Sequence, residues 1–252
     1  MNASQVELRK VPAKRYQSKL VRMMRAVVDF LGKNRWFQKP FFWLGFFTIR
    51  LLFPVQFLIL KELMNCKSVL DLGCGRHSMV PIIPSGIYTV GVEFFSDAHQ
   101  EALRSGRHSK VIQSDVTKIE FENKSFDAVV MLDVLEHLTK EEGEALIRKM
   151  ERWAKEKIII FTPNGFIHQD CYDQNPLMEH KSGWKSEELA GKGFRVRGVR
   201  GFKSLYPSSL HPDEEKSTFW TRICDLTQAV TYFIPSLAFQ LFCVKNLKTQ
   251  GK

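Results

Sequence analysis

From Lys67 onward, short apolar and β-branched runs alternate with helical or polar segments. The runs are SVLDLG (68–73), IYTVGVE (87–93), KVIQSD (110–115), FDAVVML (126–132), KIIIFT (157–162), FRVRGV (194–199) and LAFQLFCV (237–244). None alternates strictly between apolar and polar positions, and connections of 10 to 25 residues separate the first five. Such runs read as mostly parallel strands covered on both faces. The pattern predicts an α/β fold built on a doubly wound, mostly parallel, seven-stranded sheet. Between the fourth and fifth runs, Thr139 with Glu142 forms a capping box ahead of an apolar stripe of Leu146, Ile147, Met150 and Trp153. Glu144 and Arg148 add an i,i+4 pair on the exposed side. SEEL, Ser186 to Leu189, opens a further short helix, which Gly191 and Gly193 end.

Ahead of these runs the pattern changes. Leu20, Val21, Met24, Val27, Val28 and Leu31 recur at helical spacing with Lys19, Arg22 and Arg25 between them, a basic amphipathic helix. It packs on the domain with its basic face in water, or lies on an anionic membrane surface. FFWLGFFTIRLLFPVQFLIL, Phe41 to Leu60, contains only Thr48, Arg50 and Gln56 as polar residues, long enough for a membrane span. Pro54 predicts a break into two helices too short to cross a bilayer. The expected organisation is a helical extension over 1–66 and a domain over 67–252, with inserted segments near 163–185 and 203–235.

Charge sharpens that division. The 252 residues carry a formal charge of +10, of which residues 1–39 hold ten basic and two acidic side chains, giving +8. The rest of the chain is almost neutral, so neither a polyanion groove across the main domain nor a nucleic-acid partner is expected. Five cysteines without a CxxC pair argue against a disulfide framework and suit a reducing compartment.

In a doubly wound sheet the ligand crevice lies outside the carboxyl ends of the strands. Four such ends are acidic: Asp71 in the first turn, Glu93 closing the second run, Asp115 closing the third, and Asp133 after the fourth. GCGRHS puts Ser78 where a dinucleotide-binding G-x-G-x-x-G has its last glycine, and no P-loop lysine follows. Acidic groups there oppose a pyrophosphate and suit a ligand with a sulfonium cation, an amino group and a ribose. Bare glycine backbone would let that ligand come close where a Cβ would obstruct it. His77 stands in place of a third glycine, either as a tolerated loop residue or as a contact to the ligand's carboxylate.

VLDLGCG, then GVE with Glu93 18 residues beyond Gly75, then QSD and FDAVVMLDVLEHL follow in order. In this, residues 67–244 resemble the class I S-adenosylmethionine-dependent methyltransferases, especially the subgroup with quinone-biosynthesis methyltransferases. The resemblance implies a Rossmann-like methyltransferase fold with S-adenosylmethionine as cofactor. It implies that Gly73, Cys74 and Gly75 approach the methionine part, that Glu93 accepts from both ribose hydroxyls, and that Asp115 with Val116 meets the adenine. Asp71 would order the loop and reach the amino acid end directly or through water, and Asp133 would border cofactor and acceptor. With such a cytosolic cofactor, one membrane crossing by residues 41–60 would strand the domain on the far side of the bilayer. A cytoplasmic location follows as the expectation, peripheral at an anionic membrane through residues 1–60 at most.

Methyl transfer from a sulfonium is an in-line displacement, for which a protein supplies alignment, a dry pocket and, where the acceptor holds a proton, a base. Asp133, His137, His168 and His180 are the candidate bases, with Asp133, His137 and His180 preferred. Glu136 and His137 read equally as a structural pair. The long connection Thr162–Trp184 offers Asn164, His168, Gln169, His180 and Trp184 to an acceptor site. His168, Cys171 and His180 match no familiar metal spacing, and the chemistry needs no metal. The expected acceptor is small or lipid-like, with oxygen as the target. The alternatives are a nucleic-acid or protein methyltransferase steered by the basic arm, or a lapsed enzyme acting at a membrane surface.

Overall fold

The computed structural model describes residues 54–75, 86–170, 178–206, 224 and 226–247. All seven apolar runs form strands of one sheet: β1 Ser68–Leu72, β2 Tyr88–Glu93, β3 Lys110–Gln113, β4 Phe126–Leu132, β5 Ala154–Pro163, β6 Arg195–Phe202 and β7 Ala238–Asn246. Their order is β3-β2-β1-β4-β5-β7-β6. The first five pair in parallel, and β7 runs antiparallel to β5 and β6. Strand order reverses between β1 and β4, so their carboxyl ends open a crevice at the switch point.

Strand periodicity assigns the two faces. Leu70, Leu72, Val90, Val92, Val129 and Met131 share one apolar layer, while Val69, Ala128 and Val130 share the other. The first layer packs against α3 (Lys140–Trp153), named in chain order after α1 (Pro54–Leu63) and α2 (Ser96–Ser105). The predicted stripe Leu146, Ile147, Met150 and Trp153 is buried there. Both halves of the Thr139–Glu142 capping box are present. Glu144 lies 3.9 Å from Arg148, as expected, but closer to Lys192, at 2.8 Å.

The second layer is covered by α1, which buries Val55, Leu58, Ile59 and Leu63. Pro54 thus opens a helix devoted to the core, and the end of the long apolar run is packing surface. Among the described residues no helix is long and apolar enough to cross a membrane. Residues 41–53, the amphipathic helix at 20–31, His77 and most of the 203–235 insertion lie outside the described residues.

Three strands run past their predicted ends, β7 by reaching Asn246. β5 begins at Ala154, directly after α3, because Ala154 pairs with Phe126 despite the polar residues that follow it. β6 continues to Phe202 across an irregularity between Val199 and Phe202, where Arg200 and Gly201 take positive φ of 65° and 73°. The helix after SEEL is α4, Ser186–Gly191, and α5, Gln228–Thr231, packs beside β6.

Candidate active site

The turn after β1 is built for close approach at one glycine and for packing at the other. Gly73 and Cys74 both donate N–H to Val92 O, at 2.9 and 3.0 Å, fastening the turn to the end of β2. Gly73 has φ 67°, and a Cβ there would meet Val134 Cγ2 at 2.4 Å. Gly75 has φ 53°, and among the described residues a Cβ there would meet only Gly73 O, at 4.0 Å. The bare backbone expected beneath a ligand is therefore that of Gly75, whereas Gly73 is glycine because Val134 leaves no room. Cys74 turns its side chain inward, buried against Gly91, so only its backbone faces the crevice.

Glu93 is fixed from two sides. Its Oε2 accepts from Gly75 N at 2.8 Å and its Oε1 from Phe95 N at 2.9 Å. Each oxygen keeps lone-pair capacity for a further donor, such as a sugar hydroxyl. Asp115 folds onto its own turn, Oδ1 accepting from the N–H and hydroxyl of Thr117 at 2.9 and 2.7 Å, with Lys118 at 3.3 Å from Oδ2. Burial pushes this carboxyl up, but the Thr117 hydrogen bonds and Lys118 outweigh it and hold it below the usual range. Val116 beside it is buried in the first apolar layer.

Asp71 is held inside the protein. It lies under the turn with its side chain 2% exposed, Oδ2 2.9 Å from His108 Nε2. Its position on β1 explains this: Asp71 points to the same face as Val69, into the protein. His108 lies 37 residues along the chain, and no local pattern announces it as the partner.

Beyond β4 the chain turns sharply. Asp133 has φ 53°, a left-handed conformation uncommon for residues other than glycine. Its N–H donates to Phe161 O at 2.9 Å, and Gln240 Nε2 donates to Oδ1 at 3.3 Å. Gln240 is a polar residue inside an apolar run, the one sequence signal that β7 carries a side chain to the site. Desolvation by the surrounding protein raises the Asp133 carboxyl to about 7, with Arg200 opposing. Because the side chain is solvent-exposed, water screens that rise, which is felt in full only when a ligand displaces the water.

One turn on, in the 3-10 segment Leu135–His137, Glu136 is buried and its Oε2 accepts from Thr162 Oγ1 at 2.9 Å. Burial first, then the charge of Asp133, lift this carboxyl well above the usual range. His137 Nδ1 lies 3.0 Å from Glu179 O, and burial holds the imidazole down at about 4. His180 Nδ1 lies 2.7 Å from Ile167 O, and burial lowers this group too. The two rings meet edge to face with centroids 4.9 Å apart. Glu136 therefore joins His137 and His180 in one cluster, more than the helix-starting pair its sequence position suggested.

Other residues of the long connection make contacts within the protein. Asn164 Nδ2 donates to Pro235 O, Ser236 O and Ala238 O, at 3.1, 3.0 and 2.8 Å. Trp184 is buried, with Nε1 on Ser182 Oγ at 3.0 Å and Lys140 Nζ 3.8 Å from its ring centre. Gln169 donates to Met178 O at 2.7 Å. His168 supplies none of the trio's ligand atoms; its side chain is 58% exposed beside Asp170, near enough for its charge to bear on His180.

Residues 70–161 match the family described as a methyltransferase domain. No curated protein matches the chain. Among solved structures the chain is similar to a SAM-dependent methyltransferase from Archaeoglobus fulgidus, with 20% identity over 80% of this chain and 99% of that one, and a TM-score of 0.49. It is also similar to magnesium protoporphyrin IX methyltransferase from Synechocystis PCC 6803, with 16% identity over 92% of this chain and 86% of that one, and a TM-score of 0.46. The matched segment spans the glycine turn, Glu93, Asp115 and Asp133, so residues 70–161, at the centre of the seven-stranded α/β sheet, are similar to a methyltransferase domain.

Proposed function

We propose that the protein moves a methyl group by in-line displacement from S-adenosylmethionine to an oxygen of a small amphiphilic or lipid-like acceptor. Gly75 and Glu93 would take the methionine part and the ribose, and Asp115 the adenine side. Asp133 would border the transferred methyl and remove the acceptor's proton as general base, a role its place at the strand end and its Gln240 tether suit.

The observation that carries the acceptor class is an apolar margin beside a polar floor. Val230, Phe233, Ile234 and Leu237 are exposed, Phe233 by 71%. They belong to the segment that Asn164 holds against the end of β5, next to the strand end bearing Asp133. Scattered exposed apolar side chains are ordinary, but a run beside a polar crevice suits an acceptor with a greasy body and a polar head. Residues 1–60, with their basic arm, would keep such an acceptor's membrane within reach.

Two measurements test this reading. Calorimetry with S-adenosylmethionine is expected to show binding that weakens at least about tenfold in Glu93→Ala, the loss of a charged hydrogen-bond acceptor. Incubation with methyl-labelled cofactor and a cell extract is expected to place label in the organic phase. Label confined to protein or RNA would replace the acceptor class, and cofactor binding indifferent to position 93 would remove the site.

A further inference from the structure

Beside Asp133, three lone-pair donors face one another. One ligand atom from each of Glu136, His137 and His180 lies within 4.8 Å of the other two. A carbonyl oxygen can only accept, so Glu179 O and Ile167 O require the proton of each imidazole to sit on Nδ1. That fixes both Nε2 atoms as acceptors, and an ionised carboxylate is an acceptor as well. Among the described residues, the one side-chain donor that reaches this trio is Thr162 Oγ1, on Glu136 Oε2. A carboxylate and two imidazoles, each with an acceptor nitrogen, gathered this closely suit a proton or a cation among them.

The cluster is also held in shape. Lys181 N and Ser182 N both donate to Glu136 O, at 2.8 and 3.0 Å, and His180 N donates to Gln169 O at 3.1 Å. These bonds clamp the His180 segment to the turn after β4. Imidazoles whose Nδ1–H groups rest on carbonyls, with a carboxylate oriented by a hydroxyl, form the outer shell that orients metal ligands. Ligands at ~2.1 Å from one ion lie about 3 to 3.5 Å from each other, a modest contraction of this cluster.

We propose that Glu136, His137 and His180 bind a divalent first-row cation at the acceptor side of the crevice. Two imidazoles and a carboxylate favour manganese, iron, cobalt or zinc over magnesium or calcium. Three protein ligands leave positions open, as a reactive site needs. On the methyl-transfer reading proposed above, an open position takes the acceptor's oxygen. The cation then lowers that hydroxyl's affinity for its proton, Asp133 receives the proton, and the oxygen attacks the methyl as the sulfur leaves with its electron pair. The acceptor class narrows to compounds that chelate, such as vicinal diols or catechols. His137 and His180 become ligands and positioning groups, leaving Asp133 as the base.

The full-length protein, stripped with a chelator and dialysed, is titrated with Mn2+ while free ion is followed by electron paramagnetic resonance. One equivalent is expected to bind, with affinity falling about 100-fold or more in His137→Ala and in His180→Ala and unchanged in His168→Ala. Pulsed resonance on the Mn2+-loaded wild type is expected to show nitrogen couplings from coordinated imidazole, a readout that does not depend on any variant folding. Absence of those couplings, or affinity indifferent to both substitutions, overturns the site. Cofactor binding measured in parallel on His180→Ala separates this proposal from the methyltransferase site itself: it is expected to persist. Full turnover of the stripped enzyme, once an acceptor is found, would overturn the cation's role in the reaction.

Discussion

At the scale of single residues, the glycine turn shows how similar positions carry different duties. Both Gly73 and Gly75 are left-handed, so alanine at either costs about 1 to 2 kcal/mol in backbone strain. Gly73→Ala adds a collision with Val134, while Gly75→Ala adds none among the described residues. Gly73→Ala is therefore expected to unfold at a clearly lower temperature than Gly75→Ala, and Val134→Ala in the Gly73→Ala background to recover part of the difference. Gly75→Ala is expected to lose cofactor affinity while staying folded. Equal melting temperatures for the two single variants, with no coupling to position 134, would refute the distinction. The sequence reading reached both glycines, yet not their division of labour, because Val134 lies 61 positions away along the chain. The same blindness covers Asp71 with His108 and His137 with His180, pairs made by tertiary packing without a local pattern. Where the partner is adjacent the residues are legible, as with Thr139 and Glu142 in their capping box.

At the scale of elements, periodicity located all seven strands and failed mainly where polar residues take part in pairing. β5 starts three residues ahead of the apolar run because Ala154 pairs with Phe126, beyond the reach of hydropathy. Residues 54–60 of the apolar run belong to α1, whose buried face shows that a greasy helix can owe its composition to a sheet. A polar bracket holds the lower edge of that arrangement. Asp127 Oδ2 accepts from Lys67 N at 2.7 Å and Ser68 N at 3.1 Å, and Lys155 Nζ is 3.2 Å from Oδ1, tying the starts of β4, β1 and β5. Burial raises this carboxyl, but those donors outweigh it and leave it below its ordinary 3.8. A lowered folded value means the contribution is complete above 3.8 and disappears as pH falls through the folded value. Asp127→Asn is expected to lose about 1 to 3 kcal/mol in urea unfolding at pH 7. The gap to wild type should narrow as the pH drops below about 4, and a constant gap across that range would show that shape rather than charge carries the effect.

At the scale of the whole molecule, the cofactor-side groups sit at the ends of separate strands of one sheet, with Gly75 N–H donating to Glu93 across the crevice. Gly75 follows β1, Glu93 ends β2, Asp115 follows β3 and Asp133 follows β4, so a ligand touching all four links separate strand ends from above. A ligand of this kind binds the folded chain and not the unfolded one, which couples occupancy to stability. At a hundredfold excess over Kd, that coupling is worth about 2.7 kcal/mol, and for a chain of this size it raises Tm by about 5 to 10 °C. S-adenosylmethionine is expected to produce this shift in thermal unfolding. S-adenosylhomocysteine, which keeps the ribose and adenine, should approach it. Glu93→Gln is expected to keep much of the unliganded Tm, since an amide oxygen can still accept one backbone N–H, while sharply reducing the ligand-induced rise. If adenosine alone matched the full cofactor in wild type, the turn at Gly75 would contribute nothing to binding, and the division of the crevice among the four strand ends would fail.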